Sequence, residues 1–257
     1  INFTNCDFVN NTALYATAIR MKSNVINMIV DNCNFTNNSA SSTAANEYCA
    51  GIEFTHTATD VNIRNSYFSK NSATQATCIY FLGDASSEVS NINIYNCNFT
   101  GNNATINSAS SYGGAALYFN SYNSVNITES YFGNNKALNS RAGALYLNPA
   151  TSGTPTLSIT KSEFDDNYAN YGGAIYLISN NVPFKDCVFK RNYAKVSGGA
   201  LYIGATGSGS YGVNSQFDNV TFEDNYANET GGAIFWSAAN GYVINSKFIN
   251  NTANKEG

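Results

Sequence analysis

The sequence predicts an all-β fold: a right-handed, single-stranded parallel β-helix (β-solenoid) with about nine coils of ~30 residues each. Three observations lead to this prediction. A six-residue motif, Phe-x-x-Asn-x-Ala, occurs nine times at intervals of 25 to 33 residues. A segment of small residues followed by Ile or Leu, most clearly Gly-Gly-Ala-Ile, falls between successive copies. Apolar and polar residues alternate around both motifs as in strands, without a helical period.

The first strand of each coil precedes the phenylalanine. Positions seven and five residues before it are mostly apolar, as in the pairs Val61/Ile63 and Ile92/Ile94. This period of two predicts a strand with those side chains directed inward. The position two residues before the phenylalanine is small, for example Ser66, and shares the inward parity. Because parallel crossovers are right-handed in nearly all proteins, we expect a right-handed coil.

The repeated motif predicts two columns of identical side chains along the axis. Each phenylalanine should stack on that of the next coil, and each asparagine should hydrogen-bond to the next asparagine. Asparagine also tolerates the left-handed conformation that a corner needs. The phenylalanines are Phe8, Phe35, Phe68, Phe99, Phe132, Phe164, Phe189, Phe222 and Phe248. The asparagines are Asn11, Asn38, Asn71, Asn102, Asn135, Asn167, Asn192, Asn225 and Asn251.

The small-residue segment starts another strand, and we expect three short strands per coil. Glycine pairs such as Gly172-Gly173 let the backbone turn where a Cβ atom would clash. In this strand two apolar positions face inward, and the position between them holds Arg20 and Glu53 in two early coils. Because that position accepts both charges, we expect it to face solvent. In the later coils it is aromatic: Tyr80, Tyr118, Tyr146, Tyr176, Tyr202 and Phe235.

This aromatic column is the candidate binding surface. An exposed strip of aromatic rings packs well on sugar rings or on another protein. In the alternative interpretation, the tyrosines only stabilise a parallel sheet, as their β-propensity favours. A second, shorter column consists of Tyr168, Tyr193 and Tyr226, four residues after their phenylalanines.

Composition excludes some function classes. Charged residues are 12% of the chain, and the net charge is -4, without a basic stripe; we therefore expect no nucleic-acid partner. No apolar stretch approaches ~20 residues, so we expect no membrane insertion by this segment. The repeat has no composition break, which predicts one continuous domain over residues 1–257. Since the sequence starts and ends in mid-repeat, we expect a segment of a longer chain.

Length variation lies in connections rich in Ser, Gly, Thr and Ala, which are typical of surface loops. The long ones are 39–48, 83–91, 104–112, 148–156 and 204–215. Ten Asn-x-Ser/Thr sequons suggest a secreted glycoprotein, and a composition so rich in Asn, Ser and Thr produces about as many by chance. These candidate glycosylation sites are Asn2, Asn10, Asn34, Asn37, Asn98, Asn103, Asn126, Asn219, Asn228 and Asn250.

The two motifs together resemble the repeats of the polymorphic outer membrane protein family, which are marked by Gly-Gly-Ala-Ile/Leu/Val and Phe-x-x-Asn tetrapeptides. The asparagine-rich style of 248–253, Phe-Ile-Asn-Asn-Thr-Ala, also resembles adhesin-like surface proteins of methanogenic archaea and protists. The resemblance covers the whole chain. It implies a right-handed β-helix that is secreted and displayed on a surface, where it acts in adhesion or envelope building. Unlike the bacterial members, this chain shows no C-terminal barrel-like region.

Few residues suggest catalysis. Acidic and basic pairs alternate in consecutive coils: Asp165-Asp166, Lys190-Arg191 and Glu223-Asp224. This favours a charge ladder between coils over a catalytic cluster. His56 is the only histidine, which disfavours a Ser-His-Asp triad or a His-ligated zinc site. We expect no catalytic residue, no metal site and no cofactor. Cysteines such as Cys97 share the small inward position and are expected to be inert, although Cys6/Cys33 and Cys49/Cys78 lie in adjacent coils where a disulfide is conceivable.

From the sequence we therefore expect an extracellular, cell-surface β-helix repeat protein with an adhesive or structural role in an envelope or appendage. Its partners would be cell-surface glycans or proteins, or copies of itself arranged end-to-end or side-by-side. One alternative is a filament subunit assembling through uncapped β-helix ends, since an open parallel edge is a template for another. A second alternative is a carbohydrate-active, pectate-lyase-like β-helix enzyme using its late acidic residues.

Overall fold

The structure is a computed structural model that describes residues 1–41, 49–74, 78–83, 88–105, 113–150, 154–178, 181–204, 214–237 and 240–257. In these residues, all regular structure is strand, and the strands form three parallel sheets of 17, 9 and 9 strands. Successive coils stack in register, so that Phe8 pairs with Phe35 and Phe68 with Phe99. The predicted parallel β-solenoid is confirmed.

Four rows of strands run along the axis, and the first two rows make up the 17-stranded sheet. The first row, which we call the Gly-Ala row, contains Ile19–Met21, Ile52–Phe54, Ile79–Leu82, Leu117–Tyr122, Leu145–Pro149, Ile175–Leu177, Leu201–Ile203 and Ile234–Trp236. The second, the Val-Ile row, contains Asn2–Thr4, Val25–Asp31, Ala58–Arg64, Val89–Tyr95, Ser124–Thr128, Thr156–Thr160, Pro183–Lys185, Ser215–Asp218 and Gly241–Ile244.

The other two rows each form a nine-stranded sheet. The Phe row contains Asp7–Val9, Asn34–Thr36, Tyr67–Ser69, Asn98–Thr100, Tyr131–Gly133, Glu163–Asp165, Val188–Lys190, Thr221–Glu223 and Lys247–Ile249. The Asn-Ala row contains Thr12–Ala13, Ser39–Ala40, Ser72–Ala73, Asn103–Ala104, Lys136–Arg141, Tyr168–Tyr171, Tyr193–Ser197, Tyr226–Ala227 and Thr252–Ala253. A complete coil thus has four short strands, where the sequence had predicted three.

The extra strand arises because each Phe strand lies between two sharp corners. The residue three positions before every repeat phenylalanine has a positive φ, for example 51° at Asn32, and so does the residue two positions after it, for example 55° at Asn37. The motif asparagine, one position further on, does not have a positive φ. The predicted corner role of that asparagine is therefore wrong: the preceding residue turns the chain, which leaves the motif asparagine free to point inward.

The inward positions form one long core, as predicted. Val61, Ile63, Ile92 and Ile94 are buried, and Ser66 is buried at the small position. The repeat phenylalanines stack face to face along the rod, with centroid distances between 4.5 and 5.0 Å. The stack ends at the first and last copies, so Phe8 is only half-buried and Phe248 is 51% exposed.

The motif asparagines form a continuous hydrogen-bonded ladder. In every coil the Nδ2 group donates to Oδ1 of the next asparagine at 2.8 to 3.1 Å. The same Oδ1 accepts the preceding asparagine's backbone N–H, as Asn135 does from Asn102 at 3.1 Å. The other Nδ2 hydrogen reaches a phenylalanine carbonyl one coil back, as in Asn135 to Phe99 at 2.9 Å. The predicted ladder is thus present.

The two glycines of each pair at the start of the Gly-Ala strands are required for different structural reasons. The first glycine adopts a left-handed conformation, with φ of 72° at Gly198. The second has no such torsion but lies against the next coil: a Cβ on Gly199 would stand 1.9 Å from the carbonyl oxygen of Gly232. Of the predicted connections, 42–48, 84–87, 106–112, 151–153 and 205–213 lie outside the described residues. The prediction of loops is wrong at the edges of these connections, which belong to the strands Ser39–Ala40, Val89–Tyr95, Asn103–Ala104, Leu145–Pro149, Thr156–Thr160 and Ser215–Asp218.

Candidate functional site

The aromatic column on the Gly-Ala row stacks as predicted but is not exposed. Neighbouring rings from Tyr80 to Phe235 are parallel to within 19°, with centroids 4.7 to 5.7 Å apart. Tyr80, Tyr118, Tyr146, Tyr176 and Tyr202 are all at most 8% exposed, and Phe235 is half-buried. The prediction that this column faces solvent is wrong, and an open binding strip is therefore not available here.

The column is buried because residues at or just beyond the ends of neighbouring strands pack over it, and it forms a second apolar cluster, separate from the main core. The guanidinium of Arg141 lies 4.9 Å from the centroid of the Tyr176 ring. The Tyr171 ring meets Tyr202 edge-on at 5.5 Å. Further along, Ala142 and Ile178 are buried in the same cluster. A cation over a ring and an edge-to-face pair both stabilise such packing.

The column position also accepts the charged residues Arg20 and Glu53, and the reason is not the solvent exposure that we predicted. Glu53 is fully buried, and its Oε2 lies 2.7 Å from Nε of Arg20 in the preceding coil. Two opposite charges in adjacent coils satisfy each other, so the position tolerates charge without facing water. A buried pair of this kind specifies register more than it adds stability.

A groove at the corner between the Val-Ile and Phe rows is the candidate site. This corner groove has a volume of about 420 Å³. Its lining residues are Asn32, Asn65, Tyr67, Asn96, Cys97, Asn98, Glu129, Ser130, Tyr131, Lys161 and Glu163. It forms where the backbone bends three residues before the phenylalanine and the next residue, such as Cys97 or Ser130, is small and turned inward.

Two tyrosines of the groove have no aromatic neighbour. Asn98 pairs in register with Tyr67 on one side and Tyr131 on the other. An asparagine therefore separates the two tyrosines, and among the described residues no aromatic ring stacks on either. Tyr67 is 58% exposed. In contrast to the buried column, neither ring is covered by another aromatic ring of the described residues, although Tyr131 is half-buried and lies against Gly133.

Tyr131 is held in place by its surroundings. Its ring lies over Gly133, where an added Cβ would stand 2.5 Å from Cε1 of the ring. Its hydroxyl donates to Oδ2 of Asp165 at 3.3 Å, and the same oxygen lies 2.6 Å from Nη2 of Arg191. Partial burial, together with the charge of Asp165, raises the pKa of Tyr131 to about 12. The ring is therefore neutral and oriented before any ligand arrives.

The charged groups along the groove are paired. Nζ of Lys161 lies 3.2 Å from Oε1 of Glu129, and Nζ of Lys190 lies 2.5 Å from Oε1 of Glu163. The neighbouring carboxylate of Glu129 also raises the pKa of Tyr95. The corner groove is consequently close to neutral, and its remaining polar lining consists largely of amides.

In the part of the chain that the structure describes, the predicted charge ladder is formed between the first and second of its three coils and not between the second and third. Asp165 lies 2.6 Å from Arg191 and 3.8 Å from Lys190 in the next coil. Among the described residues, no ion pair joins these bases to Glu223 or Asp224. The short column Tyr168, Tyr193 and Tyr226 stacks at 5.0 and 5.2 Å and is half-buried, so it presents ring edges instead of faces.

Cysteine, histidine and metal chemistry have little support in the described residues. All six thiols are free, and burial raises the pKa of Cys97 and of Cys187 to about 12. This agrees with the inert role that we predicted, since the thiolate is the reactive form. His56 is exposed and hydrogen-bonded to Thr55 at 2.9 Å. The described residues contain no group of three or more His, Cys, Asp or Glu arranged to hold a metal ion.

The sequons differ in accessibility. Three of them are half-buried in strands: Asn34, Asn98 and Asn103. The others are exposed: Asn2, Asn10, Asn37, Asn126, Asn219, Asn228 and Asn250. Asn98 lies between the two groove tyrosines, and its Oδ1 accepts a hydrogen bond from Thr100.

A family model matches most of the chain. The family model described as a right-handed β-helix region matches residues 50–253. This agrees with the parallel coils described above and with the predicted handedness. No curated protein matches the chain. Within the described ranges, no helix is long and apolar enough to cross a membrane.

Proposed function

Because the chain belongs to the right-handed β-helix family, we propose that it is the rod of an extracellular, surface-displayed protein with an adhesive or structural role. The observation that carries this proposal is the corner groove. It lies on the outside of a regular stack, its charges are balanced, and it holds Tyr131 in a fixed orientation. A preorganised, open surface of this kind suits binding, because little ordering is required when a partner arrives.

The interior supports a role as a spacer. The asparagine ladder and the phenylalanine stack run through all nine coils of the Phe and Asn-Ala rows. Stability in such a stack is a sum of coil and neighbour terms, so a rod can be long without a single central core. A long rod with a groove on its side can present that groove away from the surface that bears it.

Adhesion is tested with beads coated with the protein and offered to intact cells. We expect wild-type beads to adhere and beads carrying Tyr67→Ala/Tyr131→Ala to adhere much less. Tyr242→Ala is the matched control, because Tyr242 is 47% exposed but lies outside the groove. Antibody labelling of non-permeabilised source cells tests the location. Labelling only after permeabilisation would overturn the surface assignment.

A binding role also accounts for Asp165 better than catalysis does. Its carboxylate is held by Arg191 and by the Tyr131 hydroxyl, which favours a positioning role. The enzyme alternative requires calcium-dependent release of unsaturated sugars from polyuronates and its loss in Asp165→Asn/Asp166→Asn. We expect no such release from the wild-type protein. Assembly end-to-end into filaments stays a prediction from the sequence.

A further inference from the structure

We propose that the corner groove binds an uncharged, linear polysaccharide that runs along the β-helix axis and packs sugar rings on Tyr67 and Tyr131. This rests on the proposed function, since it names the ligand of the adhesive surface. The buried column on the Gly-Ala row takes no part.

The ring faces supply the apolar part of recognition. A pyranose has an apolar face of C–H groups and a rim of hydroxyls, and a tyrosine ring offers a flat apolar surface with a polar tip. Stacked columns cover their ring faces, as between Tyr168 and Tyr193 at 5.0 Å. Tyr67 and Tyr131 are instead separated by Asn98, so no aromatic ring among the described residues covers either: Tyr67 is exposed, and Tyr131 would offer the face that does not lie on Gly133.

The amides supply the polar part. Asn65, Asn96 and Asn98 line the groove, and every asparagine side chain both donates and accepts hydrogen bonds. Sugar hydroxyls also do both. A proline-rich peptide in an extended helix presents mainly carbonyl acceptors and fits an apolar aromatic groove better than this polar one.

The balance of charge selects an uncharged chain. Lys161 is paired with Glu129, and Lys190 with Glu163. An acidic polysaccharide would have to break these pairs to obtain a cation, and it would then face unpaired carboxylates. A neutral chain leaves both pairs in place.

The coil spacing defines how the chain lies. Paired strands are ~4.8 Å apart, so Tyr67 and Tyr131, two coils apart, are separated by ~9.6 Å along the axis. A chain along the groove therefore places separate sugar units on the two rings and an intervening unit over Asn98. Because Tyr131 is fixed by Gly133 and Asp165, one of the two platforms is ready before binding.

The test is affinity electrophoresis and titration calorimetry with soluble β-glucan, xylan, mannan and galactan, and with polygalacturonate as the acidic comparator. We expect at least one neutral polysaccharide to bind the wild type. Tyr67→Ala/Tyr131→Ala should weaken binding at least 10-fold, whereas Tyr242→Ala should not change it. Tyr67→Ala alone removes an exposed side chain, so its effect is measurable even where the double variant folds poorly. Circular dichroism checks the fold of each variant.

The inference would be overturned if no neutral polysaccharide bound, or if polygalacturonate alone bound. It would also be overturned if a proline-rich peptide bound in the groove and no sugar displaced it, or if the double variant bound a neutral polysaccharide as tightly as the wild type. Periodate treatment of the target cells separates the two proposals. If beads still adhere after the glycans are oxidised, the adhesive function stands and the polysaccharide ligand is wrong. If beads never adhere and no sugar binds, both proposals fail.

Discussion

At the level of single residues, the motif asparagine is the repeat position at which substitution by another residue type should be tolerated least. In Asn135, Oδ1 accepts from the backbone and the side chain of Asn102, while Nδ2 donates to Phe99 and Asn167. Only a primary amide on a short side chain has two donors and an acceptor in this arrangement. This explains why the motif asparagine occurs in every copy, while the corner residue before it varies among Asn, Lys, Gly, Asp and Arg.

We expect Asn135→Ala to lower the free energy of unfolding by at least about 3 kcal/mol, because several buried groups lose partners and each costs ~1–3 kcal/mol. Asn126→Ala is the matched control: that asparagine is exposed, and its side chain donates to Asn93 at 3.1 Å. Its change should stay within about 0.5 kcal/mol. Urea unfolding followed by circular dichroism measures both, and similar losses in the two variants would contradict the ladder's role.

At the level of elements, the Gly-Ala row depends on close contact between coils. The second glycine of each pair faces the carbonyl of the next pair, with a Cβ on Gly173 only 2.1 Å from the Gly199 oxygen. The first glycine is needed for its torsion, and in one coil Ala142 takes that place at φ of 62°. The two glycines are thus not equivalent, although the motif presents them as a pair.

Gly199→Ala should therefore destabilise the protein by about 1–3 kcal/mol, since the added methyl group overlaps the Gly232 carbonyl and forces the coils apart. Gly101→Asn is the control. Gly101 has φ of 67°, and its nearest Cβ neighbour would be 4.0 Å away, while Asn134 fills the equivalent corner of the next coil. We expect the free energy of unfolding of Gly101→Asn to lie within about 0.5 kcal/mol of the wild-type value. Equal losses in Gly199→Ala and Gly101→Asn would contradict the role of close coil contact in the Gly-Ala row.

The sequence predicted the elements that repeat and missed those that do not. Phe164 and Asn167 recur in phase, so their stack and ladder follow from identity alone. The cover over Tyr176 comes from Arg141, at the end of an Asn-Ala strand, and the paired positions in the next coils hold Tyr171 and Ser197, so no repeated residue indicated the burial. An unbroken run of aromatic residues, where other outward columns hold Thr, Ser or Lys, was the available signal.

The groove illustrates a second limit. Tyr67 and Tyr131 occupy the same repeat position two coils apart, and an aligned sequence displays them with Asn98 between. Their alternation was visible, but the depth of the groove depends on a backbone bend and on Tyr131 leaning over Gly133. Neither of these can be derived from side-chain parity.

At the level of the whole molecule, each described coil pairs its strands with those of the coils before and after it. Parallel pairing runs in sequence through nine strands in both the Phe and the Asn-Ala sheets. Cooperativity in such an array is carried by neighbour contacts, so a local defect should weaken the nearest coils first. A groove that spans several coils, such as the one around Asn98, then depends on the stack remaining intact beneath it.

We expect Phe164→Ala to reveal this directly by hydrogen exchange. Phe164 is fully buried and stacks on Phe132 at 4.9 Å and on Phe189 at 4.7 Å, so its removal should cost about 3–5 kcal/mol. Amide protection should fall in the coils of these three phenylalanines and persist in distant ones. Phe248→Ala serves as control, because that ring is 51% exposed and stacks on one side only, so protection should change in the last coils alone. A uniform loss of protection along the chain in Phe164→Ala would mean that the rod unfolds as a single unit, and the nearest-neighbour description would then be wrong.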